Sequence, residues 1–215
     1  MGDMPHVDSL KKRASKVTVF IYNHVALIAW LRNRPGWTDI VCARATRFAT
    51  IFLSFGSIHV HKHDLQALVT SKFFVDNRLS RELKAKEASS IILDNSFWDD
   101  INVLVKISSP LIRLLWIVDS DQRPAIGYVY EGMHRARLGI KIFRMRKYLY
   151  KPYTSIIKNR WDKHLRKDLH ATAYWLNLAF QYDEENFCRK PVNMAVLDYI
   201  GKKYDGDQEK EIKET

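Results

Sequence analysis

Residues 10–31, LKKRASKVTVFIYNHVALIAWL, place Leu10, Val17, Phe20, Ile21, His24, Leu27, Ile28 and Leu31 at three- and four-residue spacing. That is the period of one helical face. Asp8 or Ser9 is available as N-cap, and Arg34-Pro35-Gly36 is a stop. A second decisive stretch begins at Ser96 and runs through Phe97, Ile101, Leu104, Val105, Leu111, Leu114, Leu115 and Val118, with Pro110 expected to kink the helix rather than end it. Between these, Thr46 can cap a helix through Phe48, Ile51, Phe52, Phe55 and Ile58 that runs on past His63, while 76–90 reads as an exposed connection with a helical option at 81–88. After a turn at Asp119-Ser120-Asp121, Pro124 opens a helix through Ile126, Val129, Tyr130, Met133, Ala136 and Ile140. Helices at 153–165, 169–180 and 194–200 follow. Alternating runs are scarce and no repeat of 20–50 residues occurs, so the expectation is all-α, an irregular array of six to seven helices. The expected organisation is an N-terminal leader over 1–10, one helical domain over 11–200, and a disordered polar tail over 201–215.

The chain has 215 residues, 47% of them hydrophobic and 27% charged, a globular composition that excludes collagen-like and wholly disordered classes. Thirty-five Lys and Arg against 24 Asp and Glu leave +11, which favours a polyanionic partner, with a membrane surface as the competing reading. Two cysteines, Cys42 and Cys188, are too few for a disulfide framework and fit a reducing compartment. The longest apolar run, Val17 to Leu31, falls short of a membrane span and contains Asn23 and His24, so no spanning segment is expected. No small-residue cleavage site follows Lys11-Lys12-Arg13, and His6 occupies the position where myristoylation requires Ser or Thr; secretion and lipid anchoring are therefore not expected.

The strings Val19-Phe20-Ile21-Tyr22-Asn23-His24, Ala45-Thr46-Arg47-Phe48-Ala49-Thr50, Pro110-Leu111-Ile112-Arg113-Leu114-Leu115 with Val118-Asp119-Ser120-Asp121, Gly127-Tyr128-Val129-Tyr130-Glu131-Gly132-Met133, and 169–177 with Phe180-Gln181-Tyr182 resemble, in that order, the middle of plant transposases of the hAT superfamily. The resemblance covers about Lys11 to Ile200. It implies the helical insertion of an RNase-H-like transposase without its catalytic sheet. The family's two Asp and one Glu, which hold paired divalent metals, would lie outside this span. It therefore implies a truncated or domesticated relic that is not an enzyme and is located in the nucleus, with the cytoplasm as second choice. The family's Thr-Arg-Trp element, whose ring stacks on a flipped base, is matched by Thr46, Arg47 and Phe48. Phe48 would be a smaller stacking platform, and its competing reading is a core position beside Ile51, Phe52 and Phe55.

Positive charge concentrates at 141–170, where Lys141, Arg144, Arg146, Lys147, Lys151, Lys158, Arg160, Lys163, Arg166 and Lys167 meet only Asp162 and Asp168. Tyr148, Tyr150, Tyr153 and Trp161 are interleaved, a mixture of phosphate contacts and stacking rings suited to nucleic acid. The competing reading is a solvated helix face with its aromatics turned inward, since Trp161 is in phase with Ile157. The expected DNA contacts are Arg47, Phe48, Lys141, Arg144, Arg146, Lys147, Lys151, Lys158, Arg160 and Lys163. The alternative function is a protein-interaction module, or self-association through an exposed apolar face such as Leu111 to Val118. His59, His61, His63 and Asp64 read as a solvated polar turn rather than a metal site, and Asp94, Asp99, Asp100, Asp119 and Asp121 as helix-end charges. No Ser-His-Asp order, phosphate-binding glycine loop, cofactor motif or small-molecule site is recognised.

Overall fold

The computed structural model describes residues 4–41, 48–120, 125–142, 147–181 and 189–214. It is all-α, with no strand among the described residues. Twelve α-helices are described: α1 (Pro5–Tyr22), α2 (Val25–Arg32), α3 (Phe48–Val60), α4 (Lys62–Thr70), α5 (Lys72–Val75), α6 (Leu83–Leu93), α7 (Asn95–Val118), α8 (Ile126–Ile142), α9 (Lys147–Arg160), α10 (Asp168–Trp175), α11 (Leu178–Gln181) and α12 (Arg189–Glu214). A 3-10 turn at Arg78–Arg81 and a π-turn at Trp161–Leu165 join them.

The helices outnumber the six or seven expected because several apolar stripes are broken while their period continues. The stripe of 10–31 is two helices, α1 and α2, meeting at 93°. His24 adopts extended backbone there, with its Nδ1 2.7 Å from the Phe20 carbonyl oxygen, while Leu27 and Leu31 on the far side of the bend remain fully buried. The stripe after Phe48 likewise divides into α3 and α4 at His61. Helix α1 starts at Pro5, where the missing N–H is no loss, and buries Val7 and Leu10 within the segment read as a leader. At the other end, α12 continues to Glu214 through the segment read as a disordered tail.

The chain forms two compact units, 1–108 and 109–215. In the first, α1 packs its Val17, Phe20 and Ile21 face with α6, which buries Ala85, Ala88, Ile91 and Ile92. Within the segment read as an exposed connection, Ala85 and Ala88 are therefore core positions of a helix whose other side, with Lys84, Lys86 and Glu87, is exposed. Asp94, not Ser96, caps α7, its carboxylate accepting the Ser96 N–H at 2.8 Å. Its carboxylate also pairs with Arg13, which together with the Ser96 hydroxyl holds the Asp94 pKa below the ordinary carboxylate value. Trp98 donates its indole N–H to the Ile92 carbonyl at 2.7 Å, satisfying the one polar atom of a buried ring.

Helix α7 passes through Pro110 without ending. By length and composition it is long and apolar enough to cross a membrane, which corrects the expectation that no such segment exists. No apolar run marks it in the sequence, because Lys106, Ser108, Ser109, Pro110 and Arg113 interrupt its apolar residues. Its first half is nonetheless a core helix, burying Phe97, Trp98, Ile101, Leu104 and Ile107.

In the second unit, α10 packs against both α8 and α12. Tyr130, Trp161, Tyr174 and Phe180 form a continuous ring cluster, with centroids at 5.2 Å for Tyr130–Tyr174 and Tyr174–Phe180 and 6.0 Å for Tyr130–Trp161. Gly127 permits the close approach of α8 to α10: a Cβ there would lie 2.9 Å from the Ala173 carbonyl oxygen.

Candidate nucleic-acid interface

Helix α9 has two faces set by its sequence. Tyr153, Ile157 and Trp161 follow one another at four-residue intervals and form the inner face; Tyr153 is 5% and Trp161 4% exposed. Lys151 and Lys158 lie on the outer flank, and Arg160 beyond the other edge of the buried stripe; all three are exposed. The π-turn and the segment after it add exposed Lys163, Arg166 and Lys167. The aromatic rings of Tyr153 and Trp161 are therefore core residues rather than stacking platforms, while Lys151, Lys158 and Arg160 face solvent; the side chains of Tyr148 and Tyr150 lie outside the described part.

Both acids of this stretch are already engaged from outside it. Asp162 faces Arg137 of α8 at 4.0 Å, and Asp168 is held by Lys202 of α12 at 2.6 Å. The Asp168 carboxylate in turn raises the pKa of Lys202 above the ordinary lysine value. Sequence counting could only set two acids against ten cations. It could not show that these acids are bound by residues 25 and 34 positions away. Among the described residues, Lys151, Lys158, Arg160, Lys163, Arg166 and Lys167 have no acidic partner.

Of the other expected contacts, Arg47, Arg144 and Arg146 lie outside the described residues. Phe48, Lys141 and Lys147 occupy helical positions on α3, α8 and α9, with side chains outside the described part. Lys151, Lys158, Arg160 and Lys163 are exposed along one stretch of chain in the second unit, with Arg160 across the buried stripe from Lys151 and Lys158.

The histidine cluster differs from the solvated turn expected. His61 is 2% exposed, and its Nε2 shares a 3.0 Å hydrogen bond with the Thr38 hydroxyl. Its ring lies 4.1 Å from that of Trp37, and its Nδ1 is 3.7 Å from Asp64, whose other oxygen accepts from Arg34 Nε at 3.0 Å. The order hydroxyl, imidazole, carboxylate imitates a hydrolytic triad. However, the Nδ1 to carboxylate separation exceeds hydrogen-bond reach and Arg34 already holds the carboxylate, so the arrangement acts as a strut pinning 34–38 to the start of α4. His59 is half-buried; burial, with Lys62 and Lys106 adding positive charge, lowers its pKa below the ordinary histidine value.

Compared with protein-family models, curated proteins and solved structures, the chain matches none.

Proposed function

We propose that this chain is a transposase-derived, catalytically incomplete helical protein that binds duplex nucleic acid without reading its sequence, through the cations of α9 and the turn that follows. The carrying observation is that Asp168 is paired with Lys202 and Asp162 lies beside Arg137, so that Lys151, Lys158, Arg160, Lys163, Arg166 and Lys167 are exposed and, among the described residues, without acidic partners. Such a surface releases counterions from a phosphate backbone. Burial takes the rings of Tyr153 and Trp161 out of reach of a base, which favours phosphate contacts, and so a duplex, over stacking on a single strand. The proposal includes residence in the nucleus and an absence of nuclease activity.

Replacing Lys151, Lys158, Arg160 and Lys163 together by Glu is expected to weaken duplex binding by about 100-fold or more while the helical circular-dichroism signal stays unchanged. Unchanged affinity in the folded variant refutes the reading. A second reading, a protein-interaction module, is favoured by Leu115, Trp116 and Ile117, three consecutive exposed apolar residues at the end of α7. It predicts no duplex binding even at low salt.

A further inference from the structure

Helix α12 is apolar on two sides and covered on one. Val192 and Val196 are buried where the helix packs with α10. Around the helix from them, Met194, Leu197, Ile200 and Tyr204 are between 45% and 70% exposed. Met194, Leu197, Gly201 and Tyr204 recur at intervals of three, four and three, the spacing of a seam between two helices. At Gly201 an added Cβ would meet nothing within 4 Å, so the backbone itself is open to close approach on this side.

We propose that this strip is covered by α12 of a second copy of the chain, packed antiparallel about a twofold axis at Gly201. Charge selects the occupant and its direction. Up to residue 203 the helix carries Arg189, Lys190, Lys202 and Lys203 against Asp198, a net +3. From 205 to 214 it carries Asp205, Asp207, Glu209, Glu211 and Glu214 against Lys210 and Lys213, a net −3. An antiparallel pair about Gly201 sets Arg189 and Lys190 of each helix beside Glu209, Glu211 and Glu214 of the second copy, whereas a parallel pair sets like against like. Gly201 lies at the middle of the 26-residue helix, so an axis there overlaps the whole length, about 39 Å. A single helix pair of that length gives an interface at the small end of stable ones, with a dissociation constant on the order of micromolar.

The test uses the full chain with Cys42→Ser and Cys188→Ser as background. Sedimentation equilibrium up to about 200 μM should show a monomer–dimer equilibrium. The double change Leu197→Ser and Tyr204→Ser, at exposed positions, should raise the dissociation constant at least tenfold with the helical signal unchanged. Under mild oxidation Gly201→Cys should give a disulfide-linked dimer. Met194→Cys should not, because the axis holds the two copies of residue 194 about 20 Å apart. A chain that stays monomeric throughout, an unaffected dimer in the double variant, or equal cross-linking of both cysteine variants overturns the proposal.

Discussion

The two units carry almost the same net charge and use it differently. Residues 1–108 hold 15 Lys and Arg against 10 Asp and Glu, and 109–215 hold 20 against 14. In the first unit, cations and acids meet across the fold, as Arg13 with Asp94, Lys16 with Glu87, Arg32 with Asp39 and Arg34 with Asp64. In the second, 14 of the 20 cations precede residue 168, whereas nine of the 14 acids follow residue 182. Net charge would assign both units the same affinity for a polyanion. Distribution assigns it to the second, since an ion pair presents little field to a phosphate whereas a run of unpaired cations presents a large one.

The largest expected effect breaks the scaffold beneath that run. Trp161→Ala removes the ring against which Tyr130 packs and should destabilise the second unit by about 3–5 kcal/mol, abolishing duplex binding through loss of folded protein. Thermal unfolding followed by circular dichroism checks it. The charge comparison itself is sharpened by a control in the first unit: Arg81, Lys84 and Lys86 are exposed, and changing all three to Glu should alter duplex affinity by less than about fivefold. A loss as large as that of the four-residue reversal on α9 and its turn would remove the distinction between the units. Gly127→Ala forces a Cβ toward the Ala173 carbonyl and should cost about 1–3 kcal/mol, read as a lowered urea midpoint.

The smallest effect lies in the first unit and depends on pH. The pKa of His59 is lowered in the folded chain, so protons bind the unfolded form more readily. Stability is therefore fully present above the unfolded value, about 6.5, and declines as pH falls from there through the lowered folded value. In His59→Gln that portion of the decline should disappear, which urea titrations across this range will detect.

What was legible in the sequence is what depends on near neighbours along the chain. The face of α1, the run of α7 through Pro110 and the inward phase of Trp161 with Ile157 all follow from three- and four-residue spacing. The bend at His24 did not, because the apolar period continues across it and only the extended backbone at His24 records the break. The burial of His61 was equally hidden: its partners Thr38 and Trp37 come from the segment before α3, more than 20 residues earlier, so a local reading saw only a polar turn. In the basic stretch the sequence supplied the cations, and only the fold supplied Arg137 and Lys202, which neutralise its two acids.

The unpaired cations of the second unit are tested most directly by the salt dependence of duplex binding. If five of them meet phosphates, log K against log salt concentration should fall with a slope of about −4 to −5, equal for duplexes of unrelated sequence. A slope near zero, or binding confined to one sequence, would contradict the account.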